Sequence, residues 1–197
     1  MASLDVPNAV VLVEGHSDRA ALEALAKRRR VNLDAERIAI VPMGGAQALA
    51  PFLKLYGPEG FDVRLAGLCD AGEEREFRRA VENTGLGSNL TSPDMERLGF
   101  YVCDRDLEDE LIRALGAATV EAVLDAQGEL GSFRTFQKQP AQRGRTIEQQ
   151  LHRFMGTRSG RKIEYARLLV DALDLRRVPR PLDGVLRHAF GNDDGAP

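Results

Sequence analysis

The sequence is poor in cysteine and contains no long apolar run. Its two cysteines, Cys69 and Cys103, both end short apolar segments, and neither has a second cysteine close to it. We interpret them as small core residues rather than as a disulfide or a metal-binding pair. No apolar segment approaches the roughly 20 residues that a membrane-spanning helix needs, and the N-terminus does not resemble a signal peptide. We therefore expect no membrane contact and a cytoplasmic location.

Charge is unevenly distributed along the chain, although the net charge of the 197 residues is only −3. Residues 132–190 contain thirteen lysines and arginines against five acids, a net charge of +8, so the remainder carries −11. An acidic body joined to a basic C-terminal third suits the binding of an anionic polymer beside bound cations. On charge alone, solvated helix faces explain the pattern better. Aromatic residues are not interleaved with the basic ones, so the sequence does not indicate a stacking platform for single strands.

Short apolar runs alternate with helical segments over the first part of the chain. The runs are rich in β-branched residues, and we predict that they form strands at residues 9–13, 38–41, 63–69 and 100–103. Alternation of strands and helices is typical of a parallel sheet. The sequence therefore predicts an α/β fold with a roughly four-stranded parallel sheet and helices on both faces.

Beyond Gly116 the strand signal stops and helical periodicity dominates. We predict helices at residues 119–127, 146–155, 161–173 and 181–188. The segment 128–144 is rich in loop residues, with room for one short strand, and the Gly/Ser/Asn/Thr segment 85–93 predicts a mobile loop. The expected organisation is an α/β core at residues 8–116, a mainly helical basic extension packed on it at 117–190, and a disordered tail at 191–197.

Acidic residues follow three of the four predicted strands. Glu14 closes the first strand, Asp70 closes the third, and the mostly acidic segment 104–110 follows the fourth, whereas the second ends in Gly44-Gly45. Because the carboxyl ends of parallel strands meet at one edge of a sheet, we expect these carboxylates to converge. Oxygen ligands without cysteine or a strong set of histidines select hard cations such as Mg²⁺ or Mn²⁺. The sequence therefore predicts a divalent-cation site at this edge.

Several of these acids also have ordinary structural explanations. Asp106 suits the N-cap of the helix that follows it, and Asp18 suits the first turn of the helix after the first strand. Asp109 and Glu110 fit a solvated surface. Glu14 is different, because a glutamate that directly follows apolar strand residues is partly desolvated and needs a partner or a metal.

The ordered set of motifs resembles a Toprim domain, the metal-binding module of topoisomerases, bacterial primases, recombination proteins and nucleases. The set consists of 14–18 (Glu-Gly-His-Ser-Asp), Gly44-Gly45, Asp70 and 106–109 (Asp-Leu-Glu-Asp). The opening motif and the late segment 162–166 (Lys-Ile-Glu-Tyr-Ala) make the chain most similar to the C-terminal nuclease region of the OLD (overcoming lysogenization defect) family. This resemblance covers residues 10–188.

The resemblance implies roles for particular residues. It makes Glu14, Asp70 and Lys162 catalytic residues, with the lysine placing positive charge on the phosphate oxygens. It implies a set of ligands for Mg²⁺ or Mn²⁺, in which Asp106 acts through a water: Glu14, Asp18, Asp70, Asp106 and Glu108. His16 varies in the pattern, and we interpret it as a loop residue near the site.

The chain departs from the family pattern in two places. Toprim domains usually carry Asp-x-Asp at the third strand, but here Gly72 follows Asp70 at the position of the second carboxylate. The loss leaves one ion or a weaker second one, unless Glu73 or Glu74 compensates from the next turn. OLD nucleases are also joined to an ATPase, yet the sequence contains no Gly-x-x-x-x-Gly-Lys-Ser/Thr motif. We expect a stand-alone protein or a separate ATPase polypeptide as its partner.

The leading hypothesis is metal-dependent hydrolysis or nicking of nucleic acid, with DNA as the expected substrate. The basic third would follow the phosphates without reading sequence, through Arg143, Arg145, Arg158, Arg161 and Lys162. The main alternative is a non-catalytic Toprim module that binds DNA or a partner in repair or recombination, which the missing carboxylate at Gly72 favours. A nucleotidyl-transfer enzyme lacks a dedicated nucleotide-binding motif here. A response-regulator-like domain with Asp70 as phosphoacceptor leaves the Glu14-Gly15 opening and the basic third unexplained.

Overall fold

The computed structural model describes residues 6–158 and 160–191, and it has a parallel sheet at its centre. The strands are β1 (Ala9–Val13), β2 (Ile38–Pro42), β3 (Arg64–Asp70) and β4 (Phe100–Cys103). Their order across the sheet is β2-β1-β3-β4, and every neighbouring pair is parallel. This confirms the predicted four-stranded parallel sheet. Apart from Gly191, the predicted tail at 191–197 lies outside the described residues.

Helices account for most of the remaining described chain. They are α1 (His16–Arg28), α2 (Leu49–Tyr56), α3 (Glu74–Asn83), α4 (Ser92–Arg97), α5 (Leu107–Leu115), α6 (Ala117–Ala126), α7 (Leu130–Gln137), α8 (Ile147–Met155), α9 (Arg161–Ala172) and α10 (Arg180–Ala189). Short 3₁₀ turns occur at Ala46–Ala48, Ala71–Glu73 and Pro140–Gln142. None of the described helices combines the length and the apolar character that crossing a lipid bilayer requires.

Strand β1 is buried on both faces, which explains why its sequence is apolar throughout. Val11 and Val13 point into one core, which is shared with helices α1, α5 and α6–α10. Val10 and Leu12 point into the other, which is shared with α2, α3 and α4. Successive side chains of a strand alternate between its two faces, so a single apolar strand contributes to both cores.

The order of the strands reverses between β1 and β3. From β1 the chain passes through α1 to β2 on one side of β1, and then through α2 to β3 on the other side. Open α/β sheets bind their ligands in the crevice at such a reversal, outside the carboxyl ends of the strands. Val13 is in register with Leu68, so Glu14 and Asp70 both lie at this crevice.

The loop predicted at residues 85–93 contains no helix or strand as far as residue 91; α4 begins at Ser92, and its N-cap Thr91 accepts a hydrogen bond from the backbone N–H of Asp94. The other loop prediction was wrong. The predicted loop with room for a strand at 128–144 contains α7 instead. Phe133 and Phe136, three residues apart, bury their rings against Phe154 of α8. Glycine, serine and glutamine around these residues obscured the apolar helical spacing.

The helices that follow Gly116 pack into the same core as α1 and the sheet. Gly116, with φ +76°, joins α5 to α6 directly. The Arg28 guanidinium, at the basic end of α1, donates hydrogen bonds to the carbonyls of Val170 (2.8 Å) and Leu173 (2.6 Å) in the C-terminal region. The basic C-terminal end of α1 therefore attaches α1 to α9. Its positive charge also offsets the negative end of the α1 helix dipole. The division into units at 8–116 and 117–190 stays a prediction.

The contact between α10 and β4 depends on Gly184. A Cβ atom at this position would lie 2.2 Å from Cε1 of Tyr101. We expect Gly184→Ala to lower the free energy of unfolding by about 1–3 kcal/mol, because the ring has to shift. The matched control is Gly131→Ala in α7, where a Cβ would meet no atom within 4 Å; a helical alanine there is expected to be neutral or stabilising. Equal urea midpoints for the two variants would contradict the predicted close packing.

Candidate functional site

Glu14 joins three segments at the carboxyl edge of the sheet. Its Oε1 accepts a hydrogen bond from the backbone N–H of Asp70 (2.9 Å). Its backbone carbonyl accepts bonds from the N–H groups of Gly44 (3.0 Å) and Gly45 (3.1 Å), which follow β2. The pKa of Glu14 is raised, mainly because the carboxyl is buried and also because the Glu73 carboxylate is near it. The hydrogen bond from the Asp70 N–H lowers the pKa but does not cancel these effects.

Asp70 lies near enough to the other predicted acids for their charges to act on it. Burial raises the pKa of Asp70 to about 8, and the next causes are the negative charges of other carboxylates. Those carboxylates belong to Glu14, Asp18, Asp106 and Glu108. The five expected metal ligands, from β1, α1, β3 and the start of α5, therefore share one electrostatic environment.

Asp18 has both a structural role and a place in this cluster. Its Oδ2 accepts a hydrogen bond from the backbone N–H of Gly15 (2.8 Å), so that α1 begins at His16 after the N-cap Gly15 rather than after Ser17. Burial raises the pKa of Asp18 to about 6; the Gly15 N–H lowers it, and the charges of Glu108 and Glu14 raise it. Asp18 therefore caps α1 and also feels the charges of the carboxylates at the edge.

Asp106 is the N-cap of α5, as predicted, and it also binds a histidine. Its Oδ1 accepts a bond from the Asp109 N–H (2.9 Å), and its Oδ2 accepts one from His152 Nε2 (2.6 Å). Burial raises the pKa of Asp106, but the His152 and Asp109 hydrogen bonds outweigh it, so the pKa is lowered. His152 was not predicted, because α8 has an ordinary amphipathic pattern and nothing in the sequence connects it to Asp106.

Glu108 is the most deeply buried of these acids, with only 3% of its surface exposed. Its Oε1 accepts no hydrogen bond, and the Lys162 ammonium faces it at 3.4 Å. Lys162 lies at the start of α9, so the fold brings this late lysine to the acidic edge. Glu110, expected on a solvated surface, is instead buried: it accepts a bond from the Asp104 N–H and pairs with Arg113 (both 2.9 Å).

Glu73 and Glu74 differ in their suitability to replace the missing second carboxylate. Glu73 follows Gly72 and interacts with the Glu14 carboxylate. Glu74 points away, because it accepts hydrogen bonds from Arg78 and from Ser92. Of the two, Glu73 adds to the carboxylates at the edge.

The donor set fits a divalent cation. Carboxylates that are partly desolvated and close together raise one another's pKa, which is the condition that a cation relieves. Oε1 of Glu108, which accepts no hydrogen bond, is a buried acceptor within the same group. Oxygen donors of this kind suit Mg²⁺ or Mn²⁺.

The residues expected to bind nucleic acid do not all face solvent. Arg143, Arg145 and Arg158 are exposed, and about half of the Lys162 side chain is exposed. Arg161 is a correction to this set. It is buried, its guanidinium stacks on the Phe154 ring, and it donates bonds to Glu129, Thr157 and the Phe154 carbonyl. The Arg161 guanidinium therefore stabilises the packing of α9 and does not face solvent, where nucleic acid would bind.

Glu129 is the partner that holds Arg161 in place, and it also accepts a hydrogen bond from Tyr165 (2.9 Å). We expect Glu129→Gln to lower the free energy of unfolding by about 3 kcal/mol, because the buried guanidinium loses its counter-charge. Glu121→Gln is the control, since Glu121 pairs with the more exposed Arg134 and such pairs contribute about 0–1 kcal/mol. Denaturant unfolding measures both, and a loss at Glu121 as large as at Glu129 would refute the assignment.

Comparison with known proteins agrees with the resemblance of the motifs. Residues 7–71 match the family model described as "Overcoming lysogenization defect protein-like, TOPRIM domain". The C-terminal region of the Burkholderia pseudomallei OLD protein superposes with a TM-score of 0.72 at 19% identity, over 94% of this chain and 98% of that one. The C-terminal region of the Xanthomonas campestris pv. campestris OLD protein superposes with a TM-score of 0.70 at 24% identity, over 94% of this chain and 93% of that one. No curated protein sequence matches the chain.

Proposed function

We propose that this chain, with a Toprim segment at residues 7–71 and the fold of OLD C-terminal regions, is a Mg²⁺- or Mn²⁺-dependent phosphodiesterase that nicks nucleic acid, with DNA as the expected substrate. One observation carries the proposal. Carboxylates from distant segments share one edge of the sheet with the Lys162 ammonium. Such an arrangement is expected where a phosphate group and its counter-cations are bound together.

Each residue at the edge has a role in this proposal. The cation would be held by Glu14, Asp18, Asp70, Asp106 and Glu108, with Glu73 beside Glu14. When bound, a divalent cation supplies the positive charge that stabilises negative charge developing on the phosphate oxygens. Lys162 adds a second positive charge at the same place. Burial and the neighbouring carboxylates raise the pKa of Asp70, and a bound cation would relieve this repulsion and keep Asp70 ionised as a ligand.

The exposed cations of the basic region would hold the substrate. Arg143, Arg145 and Arg158 are exposed, and contacts with phosphates do not require a particular base sequence. We therefore propose binding that is insensitive to sequence and strongly dependent on salt. We further propose that the protein acts together with a separate ATPase or a DNA-repair protein.

The test is the nicking of supercoiled plasmid by the purified chain. We expect conversion to the open circle with Mn²⁺ or Mg²⁺ and none when EDTA is in excess. Absence of cleavage with either ion would contradict the proposal. So would cleavage that survives in the Glu14 variant considered in the Discussion.

A non-catalytic binding module is the second candidate function, and Gly72 is the observation that favours it. The glycine removes the second carboxylate that Toprim domains usually carry after the third strand. A binding module would retain DNA in a salt-dependent manner and show no turnover with either cation. The plasmid assay and a filter-binding assay on the same preparation therefore distinguish the two functions.

A further inference from the structure

We infer that His152, Asp106 and Glu108 form a mixed nitrogen–oxygen site that binds a first-row transition cation, Mn²⁺ in preference to Mg²⁺. The inference deepens the proposed function, on which it rests for the presence of a cation at this edge. It assigns a ligand that the carboxylate pattern alone does not include, and it assigns that ligand to the helical region that follows Gly116.

Geometry is the first support. One ligand atom from each of His152, Asp106 and Glu108 lies within 4.8 Å of the other two. The side chains come from two packed helices, because His152 is on α8 and the two acids stand at the start of α5. The His152 side chain is only 14% exposed and directs Nε2 at the Asp106 carboxylate, so its orientation is fixed by the fold. A cation would take the place of the Nε2 proton, which would be released to solvent, because imidazole ligates through an unprotonated nitrogen.

The buried state of Glu108 is the second, independent support. Its side chain is 4% exposed, and Oε1 lacks a hydrogen-bond donor. A desolvated carboxylate oxygen without a donor is costly unless a cation satisfies it. The Lys162 ammonium at 3.4 Å contributes charge, but it does not have the geometry of a hydrogen bond to this oxygen.

The chemistry of the donors sets the preference among cations. Carboxylates alone bind Mg²⁺ and Mn²⁺ alike, whereas imidazole nitrogen favours transition cations over Mg²⁺. An ion held by His152 together with two carboxylates is therefore expected to be Mn²⁺ or a later member of its row. Among the described residues, Glu14 and Asp70 stand outside this group and offer carboxylate oxygens alone, a donor set that suits Mg²⁺.

The test is pulsed electron paramagnetic resonance of the full chain with Mn²⁺ as the only added ligand. We expect nuclear modulation from a directly bound nitrogen, which changes when the histidines carry ¹⁵N. The modulation should disappear in His152→Gln and persist in His16→Gln, where an exposed histidine near the same edge is replaced. We also expect His152→Gln to weaken Mn²⁺ binding about tenfold or more, with little change for Mg²⁺.

Absence of histidine-nitrogen modulation in the unaltered protein would overturn the inference, and this result does not depend on any variant folding. Equal losses of Mn²⁺ and Mg²⁺ affinity in His152→Gln would overturn the preference, with circular dichroism checking that the variant is folded. These measurements use no nucleic acid. A protein that binds Mn²⁺ through His152 but does not nick plasmid would therefore contradict the proposed hydrolysis and leave this site intact.

Discussion

Replacement of Glu14 by glutamine is expected to lower metal-dependent nicking about a thousandfold or more. Glu14 accepts the Asp70 N–H bond and lies at the strand reversal where the cation would be held. Glutamine keeps the shape and an acceptor oxygen but removes the negative charge. A cation supplies several kcal/mol of transition-state stabilisation, and about 4 kcal/mol corresponds to a thousandfold in rate. The measurement is the initial rate of plasmid nicking at saturating Mn²⁺.

Glu23→Gln is the matched control for this experiment. Glu23 lies in α1 on the same strand–helix unit and pairs with Arg19, and its side chain is 45% exposed. We expect Glu23→Gln to retain the full rate. Similar residual cleavage in Glu14→Gln and in the unaltered protein would identify the activity as contamination and refute the catalytic role of Glu14.

Removal of metal is expected to make the protein lose stability as the pH rises, which is the opposite of the usual behaviour of carboxylates. Burial and like charges raise the pKa of Asp70 to about 8 and that of Asp18 to about 6, against 3.8 for an ordinary aspartate. Between pH 3.8 and about pH 8, the folded protein therefore binds more protons at these two aspartates than the unfolded chain does. The associated stability is present in full below pH 3.8 and is lost as the pH rises to about 8.

Asp70→Asn tests this expectation in the presence of EDTA. We expect the variant to melt several degrees above the unaltered protein at about pH 9, since about 1 kcal/mol corresponds to 2–4 °C in a chain of this size. At about pH 5 the two should melt almost together, because Asp70 is then protonated and neutral. Asp125→Asn on the exposed surface of α6 is the control. A variant that melts below the unaltered protein at high pH would show that the Asp70 charge is not repelled.

Much of the fold followed from local sequence, because the strands of a parallel sheet are apolar on both faces. The β1 sequence predicted such a strand, and the acids after β1 and β3 predicted the edge at which they meet. Helix α7 was missed because it has few apolar residues, and its two phenylalanines are buried only through their contact with Phe154 of α8. That contact is tertiary and leaves no local signal.

The same limit applies to the charges at the site. Counting charges placed Arg161 with the solvent-facing cations, but the fold encloses it with Glu129 and the Phe154 ring. Nor did sequence connect His152 with Asp106, since the two are 46 residues apart and meet only when α8 packs on α5. Motifs therefore predicted which carboxylates lie at the edge, whereas the position of His152 beside Asp106 depends on contacts between helices.

The central claim is that carboxylates distant in sequence bind a divalent cation at the carboxyl edge of the sheet. Calorimetric titration of the full chain with Mg²⁺, in parallel with Glu14→Gln combined with Asp70→Asn, tests it most directly. We predict saturable binding by the unaltered protein and its loss in the double variant. No binding by the unaltered protein, or the same affinity in the double variant, would contradict the claim.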